Sequence, residues 1–320
     1  MPVRLRPFQE SDIPRFVAIA NAVEPDDPTT EEMARHSDAA WDDSRHFRLR
    51  LTAADEHGHI LGYGSIRHSA HHFHPHKYRL DLRVDPAYQR QGIGSVLYAR
   101  LLASLQERHA IAVRATAKES RPASIAFLRQ RGFLEMQREW ESRLAVPAFD
   151  FSPFADAEPR VAEQGITITT LRAELAHNPN AIRQAHELHL ACERDVPDGD
   201  AVTDVSYDYF LAHNIETPDA LPEAWFLAKD GERYVGVSVL FRNLADPAVL
   251  SQGLTGVLRP YRGRGIAMAL KLHGIRYAKL DGIHTIVTGN DSTNVAMLRI
   301  NDALGFQRQA PWIEFLKSLP

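Results

Sequence analysis

Cysteine is almost absent from this 320-residue sequence: Cys192 is the only one, so no disulfide can form within the chain. Such cysteine usage gives no reason to place the protein in an oxidising extracellular compartment. The first residues, MPVRLRPFQESD, lack the apolar core of a signal peptide. No apolar run approaches the roughly 20 residues that cross a bilayer. These absences predict a cytoplasmic protein with no membrane partner.

An excess of charge of one sign is also lacking. The chain carries 37 Lys and Arg against 41 Asp and Glu, a formal net charge of −4. Nucleic-acid binders usually concentrate basic residues in one domain or patch, and neither half of this sequence does so. The sequence therefore predicts no nucleic-acid partner. The second half is mildly acidic, which favours a cationic or amine-bearing partner.

A glycine-rich turn, in contrast, is present twice. The copies are residues 89–94 (QRQGIG) and 262–267 (RGRGIA), and both have the form Gln/Arg-x-x-Gly-x-Gly/Ala. Gly92 and Gly265 are 173 positions apart, and a Gly-Phe pair recurs at the same offset, at 132–133 and 305–306. Landmarks repeated in one register indicate a duplicated domain.

The duplication predicts a domain at residues 1–145, a linker at 146–164 and a second domain at 165–320. The linker contains Pro147, Pro153 and Pro159 and shows neither helical nor strand periodicity. Each half has about 150 residues, which is enough to bury a sizeable core.

Hydrophobic periodicity predicts the same order of strands and helices in both halves. Strands are expected at 3–6, 47–52, 60–67, 78–84, 111–115 and 138–144, and then at 166–171, 224–228, 234–241, 250–257, 283–288 and 313–316. Helices are expected at 13–23, 30–41, 93–105 and 123–130, and then at 181–193, 207–213, 266–280 and 294–303. The predicted fold class is α/β: two domains, each with a mixed central sheet flanked by helices.

The turns themselves suit an anion. Each follows a strand and opens a helix, where backbone N–H groups and the helix dipole present positive charge. Glycine allows close approach of the backbone, and Arg90, Arg262 and Arg264 add formal charge. Neither the dinucleotide fingerprint G-x-G-x-x-G nor the Lys-Ser/Thr of a P-loop is present. We predict a phosphate or pyrophosphate site at these turns. The alternative is that the glycines are incidental to a strand–helix turn. This alternative explains one turn better than it explains two turns that recur in the same register.

Each turn is followed, 38 residues after its last small residue, by the Gly-Phe pair that ends a helix. This pattern resembles the GNAT acetyltransferase superfamily over nearly the whole chain, as two tandem domains. The resemblance implies acetyl-CoA or another acyl-CoA as cosubstrate, and N-acetyl transfer to a primary amine of a small molecule or peptide by direct attack. The implied cofactor-binding residues are Leu82, Val84, Gln89, Arg90, Gly92, Gly94, Ser95, Thr255, Val257, Arg262, Arg264, Gly265, Ala267 and Asn294.

The two halves depart from the family pattern to different degrees. The family usually has an Asn that contacts the cofactor and a Tyr that protonates the leaving thiolate. The first half has Arg121 and Leu128 at these positions, and the second has Asn294 and Asn301. Asn301 can hydrogen-bond a thiolate but is no general acid near neutral pH. We therefore predict that the second half is catalytic, with Asn301 as a candidate catalytic residue, and that the first half is degenerate or regulatory.

A general base is harder to assign. The position where the family often has Glu holds Arg79 in one half and Gln252 in the other. Asp81, on the same strand face as Arg79, is a candidate catalytic base. Its alternative is an ion pair with Arg79 or Arg83, as is common on strands. An ordered water could also take the ammonium proton.

Three other features have competing interpretations. The histidines between His68 and His76 form a polar loop or a pH-sensitive substrate rim rather than a metal site, because no Cys or close acid completes a ligand set, and we predict no metal. A carboxylate cluster either attracts an amine or is a solvated loop: Asp195, Asp198, Asp200 and Asp204. Cys192 is predicted to be a buried structural residue.

Two functional alternatives remain beside N-acetyl transfer to a simple amine. The missing Tyr and base would also suit a non-catalytic acyl-CoA-binding or sensor protein. The tandem layout resembles that of mycothiol synthases within the superfamily, which implies a transferase acting on a cysteinyl sugar.

Overall fold

The computed structural model describes residues 3–197 and 202–320. The strands are β1 (Arg4–Pro7), β2 (Arg48–Ala54), β3 (Ile60–Arg67), β4 (Lys77–Val84), β5 (Ala112–Lys118), β6 (Leu134–Ala145), β7 (Ile166–Thr170), β8 (Trp225–Asp230), β9 (Arg233–Arg242), β10 (Val249–Val257), β11 (Thr285–Asp291), β12 (Gln307–Arg308) and β13 (Trp312–Ser318). The helices are α1 (Ile13–Val23), α2 (Glu31–Ala39), α3 (Ile93–Ala103), α4 (Pro122–Arg129), α5 (Ala157–Ala162), α6 (Leu171–Leu175), α7 (Ala181–Glu193), α8 (Tyr207–Phe210), α9 (Ile266–Leu280) and α10 (Val295–Ala303). The predicted α/β class is confirmed, and α5, α6 and β12 are additional elements.

The chain forms two compact units. Of the described residues, unit 1 comprises 3–138, 202–203 and 312–320, and unit 2 comprises 139–197 and 204–311. This division differs from the predicted boundaries at 145 and 165. Val146, Phe149 and Val161, in the segment predicted as a linker, are buried in the core of unit 2. That segment therefore packs against unit 2 and is not an exposed linker. Its prolines interrupt the hydrophobic periodicity, but its apolar side chains are still buried.

In unit 1 the strand order is β1-β2-β3-β4-β5-β13. Strands β1 to β4 are antiparallel neighbours, β4 and β5 are parallel, and β13 runs antiparallel to β5. The apolar stripe of α3 covers one face, where Leu97 and Leu101 are fully buried.

The last strand of unit 1 is therefore the C-terminal strand of the chain, which was predicted to close the second half. Ile313 and Phe315 point into the core of unit 1. Between them Glu314 accepts from Arg114 at 2.9 Å and lies 3.0 Å from Arg79. These apolar and charged contacts explain why β13 pairs with β5 in unit 1. Hydrophobic periodicity predicts a strand, but it does not predict which strand will be its neighbour.

In unit 2 the order is β7-β8-β9-β10-β11-β6, so β6 has the place that β13 has in unit 1. Strands β7 to β10 are antiparallel, β10 and β11 are parallel, and β6 pairs with β11 in antiparallel fashion. We call the side of the sheet packed against α9 the α9 face, with Leu250 and Leu270 in its core. The α7 face packs against Leu188 and Cys192 of α7. None of the helices in the described parts of the chain is long and apolar enough to cross a membrane.

Candidate functional site

Each glycine turn leads directly into the helix that follows it. Gly92 and Gly265 are the N-caps of α3 and α9, with φ of 86° and 83°. A second positive φ precedes each of them, at Arg90 (64°) and Gly263 (77°). Positive-φ residues next to a helix N-terminus gather N–H groups into an anion-binding concavity. The turn of unit 2 forms this shape with glycine at both positions, whereas unit 1 holds an arginine in the strained region.

The side chain of the first residue in each turn forms a hydrogen bond to the backbone of the preceding strand. Gln89 Nε2 donates to the carbonyl of Val84 at 3.1 Å, and Arg262 Nε donates to the carbonyl of Val257 at 2.9 Å. The two contacts are equivalent in the duplicated register. Gln89 and Arg262 thus fix the shape of the turns, in addition to any contact they make with an anion.

Asp195 is part of the same construction in unit 2. Its carboxylate accepts from Arg259 Nε at 3.0 Å and from Arg262 Nη2 at 2.5 Å. The hydrogen bond from Arg259, with that from Arg262, lowers the pKa of Asp195. Asp204 pairs with Arg194, while Asp198 and Asp200 lie outside the described residues. The expectation of an amine-attracting acidic loop therefore fails for Asp195 and Asp204, because arginines already neutralise both carboxylates.

Arg90 and Arg264 remain exposed beside their turns. The Arg264 guanidinium lies 5.1 Å from the ring centroid of Tyr261, and the hydroxyl of Tyr261 donates to Asp230 at 2.7 Å. The aromatic ring positions the Arg264 cation near the N-terminus of α9, and no acidic side chain among the described residues is paired with it.

In both units the parallel strands separate after a short paired segment. β4 and β5 pair as far as Arg79 and Arg114, and β10 and β11 pair as far as Gln252 and Thr288. The separation opens a fork whose edges carry the residues predicted to hold the pantetheine arm: Leu82, Val84, Thr255 and Val257.

The two forks differ in one respect. The register between β9 and β10 shifts by one residue between Gln252 and Thr255, whereas β3 and β4 pair without interruption. A β-bulge of this kind leaves a residue unpaired and redirects its backbone groups, and bulges are frequent beside active sites. Only unit 2 has this feature at the fork.

Aromatic and basic side chains fill the region beside the turn in unit 1. The Phe127 ring lies 3.4 Å from the position that a Cβ on Gly94 would occupy. Arg131 stacks on that ring at 3.5 Å and donates to Ser95 Oγ at 2.7 Å. The predicted cofactor contact Ser95 is therefore already bound by a neighbour. The corresponding positions in unit 2 are Ile300 and Leu304, which carry no charge.

The two asparagines of unit 2 have different environments. Asn294 caps α10, and its side chain accepts from the backbone N–H of Met297 at 3.2 Å. Asn301 is 1% exposed and donates to Asn290 Oδ1 at 2.6 Å, while its own Oδ1 has no hydrogen-bond partner among the described residues. A buried acceptor without a donor costs stability, so it marks a position where a donor from a substrate would be favourable.

The candidate base of unit 1 is involved in an ion pair. Asp81 Oδ1 lies 3.4 Å from Arg83 Nε, while Arg79 binds Glu314. The structure thus favours the ion-pair alternative for Asp81.

The α9 face of unit 2 contains a buried polar network that the sequence did not indicate. Gln252 Nε2 donates to Ser238 Oγ at 3.2 Å and to the carbonyl of Val239 at 2.7 Å, and Ser238 Oγ lies 3.1 Å from Thr255 Oγ1. Lys271 Nζ, from α9, donates to Gln252 Oε1 at 3.4 Å. The signal available in the sequence was a lysine on the apolar stripe of α9.

The α7 face carries an imidazole and a carboxylate. His189 Nε2 lies 3.3 Å from Glu193 Oε1, and His189 Nδ1 has no partner among the residues the structure describes. The nearby Trp225 pairs with Val239, and Val239 lies opposite the bulge of β10. His189 therefore lies about two strand spacings, on the order of 10 Å, from the bulge.

Cys192 lies on the same face and is 3% exposed. Burial raises the pKa of its thiol to about 12, and the residue packs against Gly256, where a Cβ would be 2.5 Å from Cys192 Cβ. The prediction of a buried structural cysteine is confirmed.

The histidine loop of unit 1 is held by ring contacts. His68 stacks on Tyr78 with ring centroids 4.7 Å apart, and its Nδ1 accepts from the backbone N–H of Phe47 at 3.0 Å. The described part of the chain contains no group of three or more His, Cys, Asp or Glu side chains that could hold a metal ion.

Comparisons with known proteins agree with this geometry. Residues 15–133 and 182–306 match the acetyltransferase (GNAT) family. A mycothiol acetyltransferase of Rhodococcus jostii is 25% identical over 311 residues, 95% of this chain and 93% of the relative. One of Pseudarthrobacter chlorophenolicus is 26% identical over 234 residues, 72% of this chain and 67% of the relative.

Solved structures show the same fold. A tandem GNAT protein from the clavulanic acid biosynthesis pathway has a TM-score of 0.74 at 16% identity, covering 99% of this chain and 98% of that one. A GCN5-related N-acetyltransferase from Sphaerobacter thermophilus has a TM-score of 0.69 at 18% identity, covering 99% and 95%.

Proposed function

Because this chain belongs to the GNAT acetyltransferase family, we propose that it uses acetyl-CoA to acetylate a primary amine of a small molecule, and that unit 2 carries the reaction. The observation that carries the choice of unit 2 is the β-bulge at its fork, which unit 1 lacks. The unstrained glycine turn and the exposed Arg264 cation support the same choice.

Different parts of unit 2 would bind different parts of acetyl-CoA. The N–H groups of the turn around Gly263 and Gly265 would hold the pyrophosphate, with Arg264 supplying charge. The open edge of β10, including Thr255 and Val257, would hydrogen-bond the pantetheine arm. Acetyl-CoA supplies an activated acyl carbon, and the fork orients that carbon towards the amine, which by itself accounts for much of the rate.

We place the acceptor amine on the α7 face, because α9 and the turn lie on the other side of the sheet. His189 offers an imidazole nitrogen without a partner among the described residues on that face, and Glu193 lies against its second nitrogen. An imidazole nitrogen without a partner, on a ring whose second nitrogen is held by a carboxylate, can accept the proton of an ammonium group.

Unit 1 is proposed to be a degenerate copy. Phe127 and Arg131 occupy the region beside its turn, and Arg90 takes a positive φ that costs energy. A structural or regulatory role suits this unit better than turnover.

The test is a pair of charge reversals, Arg264→Glu and Arg90→Glu, in an acetyl-CoA turnover assay over a panel of amines. We expect Arg264→Glu to lower kcat/KM about tenfold or more, because a negative charge would face the pyrophosphate, and Arg90→Glu to retain at least half of it. Loss of activity in Arg90→Glu alone would assign catalysis to unit 1. Tight acetyl-CoA binding without turnover of any amine would support a sensor instead.

A second candidate acceptor comes from the relatives. Two mycothiol acetyltransferases align with most of this chain, and they support the amine of a cysteinyl sugar as the alternative acceptor on the α7 face. Activity on a cysteine-capped amine, without activity on polyamines or aminoglycosides, would favour it over a general amine acetyltransferase.

A further inference from the structure

We infer that Lys271 is the general acid of unit 2, the group that protonates the leaving thiol sulfur. The inference rests on the proposed function of unit 2, and it assigns a role that neither Asn301 nor any residue of the family pattern fills in this chain.

Lys271 reaches the apex of the fork. It lies in the second turn of α9, directly after the glycine turn, and is 2% exposed. Its Nζ is 3.4 Å from Gln252 Oε1. Gln252 is the last residue of β10 that pairs with β11 and the residue immediately before the bulge. The amine is therefore placed where the two strands begin to separate.

The surroundings do not satisfy a buried ammonium group. Such a group has three donors, and the described residues provide one hydrogen-bond acceptor, the long contact to Gln252, together with the ring of Phe306 at 5.1 Å. Gln252 is itself fixed by Ser238 and Val239, which directs its oxygen towards Lys271. A buried cation with so little compensation is costly unless a negative charge arrives in the fork, as it does when a thiolate leaves.

The other charged side chains of α9 have partners of their own among the described residues. On α9, His273 and Arg276 lie beside Glu158 of α5. From β10 the group facing Lys271 is Gln252, and from the segment after α10 it is Phe306, neither of which titrates. Burial alone lowers the pKa of Lys271 to about 7. An ammonium with this pKa gives its proton readily to a thiolate, whose conjugate thiol has a pKa of about 8.5.

The step balances without a further reactant. The amine nitrogen attacks the acetyl carbon, the carbon–sulfur bond breaks, and its electron pair goes to sulfur, which takes a proton from Lys271 Nζ. The acceptor nitrogen, now an amide, has lost one proton. That proton passes to a base or to water, and Lys271 regains a proton from solvent, so amine and thioester become amide and thiol.

The test compares Lys271→Met with Lys279→Met. Lys279 lies in the same helix, and its Nζ donates to the carbonyl of Phe149 at 2.8 Å, outside the site. We expect Lys271→Met to lower kcat about 100-fold while the Kd for acetyl-CoA changes less than threefold, and Lys279→Met to stay within twofold on both. We expect wild-type kcat to fall above pH 7, where the ammonium is lost, and we expect Lys271→Met to lack this fall.

Two further measurements separate catalysis from structure. Lys271→Gln can still hydrogen-bond Gln252 but cannot donate a proton to a thiolate, so it should remain as slow as Lys271→Met; recovery of kcat in this variant would reduce Lys271 to a positioning residue. The side-chain ¹³Cε resonance of Lys271, followed by NMR in the protein without substrate, should titrate with a midpoint near 7. A midpoint near 10, or wild-type kcat in Lys271→Met, would overturn the inference, whereas failure of wild type to acetylate any amine would overturn the proposed function itself.

Discussion

At the scale of single residues, burial of the Lys271 side chain, which is 2% exposed, costs stability. Burial lowers its pKa from the ordinary 10.5 to about 7. Between these two values the unfolded chain binds more protons than the folded one, so this group makes the folded state less stable as the pH falls from 10.5 to 7. The shift corresponds to roughly 5 kcal/mol at pH 7. A protein that retains such a residue in its core needs it for something other than stability.

We therefore predict that Lys271→Met is more stable than wild type near neutral pH. Its free energy of unfolding should exceed that of wild type by several kcal/mol at pH 7, and the difference should shrink by about half at pH 9. The difference shrinks because folding deprotonates Lys271, and this deprotonation costs less free energy as the pH approaches 10.5, the pKa in the unfolded chain. Urea unfolding at the two pH values measures this. Lys279→Met is the matched control, because Lys279 is exposed on the same helix and its Nζ donates to the carbonyl of Phe149. A destabilised Lys271→Met would mean that the ammonium is well compensated.

Residue roles were only partly predictable from the sequence. The turn glycines follow from a local pattern, and their positive φ values match the need for glycine there. The network of Gln252 and Lys271 joins a strand to a helix through tertiary packing, which no local pattern encodes. The clamp on Asp195 likewise depends on Arg259 and Arg262, more than 60 positions away in sequence.

At the scale of elements, the strands were predictable and their partners were not. Alternation indicated a strand at 313–316, and the structure has β13 there. Its neighbour is decided by side chains that meet only after folding: Glu314 with Arg114, and Phe315 with the core of unit 1. The bulge in β10 was also unpredicted, because a shift of one residue leaves no mark in hydrophobic spacing.

The buried ion pair gives a test of this strand placement. The side chains of Arg114 and Glu314 are 7% and 8% exposed, so Glu314→Ala would remove a buried carboxylate that accepts from the Arg114 guanidinium. We expect the free energy of unfolding to fall by about 3 kcal/mol, with loss of structure in unit 1. Glu31→Gln removes the exposed pair with Arg35 in the same unit, and it should change stability by less than about 0.5 kcal/mol. Equal effects of the two variants would argue against β13 as a core strand of unit 1.

At the scale of the whole molecule, duplication has produced two similar sheets with unequal sites. Both units have an equivalent strand order, a fork between two parallel strands, and a glycine turn that leads into a helix. Unit 2 adds the bulge, the buried amine of Lys271 and an imidazole on the opposite face. Unit 1 instead packs Phe127 and Arg131 beside its turn. The sequence indicated the asymmetry through Asn294 and Asn301, and the structure adds a physical reason for it.

The most direct test of this asymmetry is a crystal structure of the protein soaked with acetyl-CoA at a concentration a few times its Kd. We predict density for the pyrophosphate on the turn at 263–267, with the thioester in the fork of β10 and β11 near Lys271, and a turn at 90–94 without it. Pyrophosphate density on the turn at 90–94 alone would contradict the account.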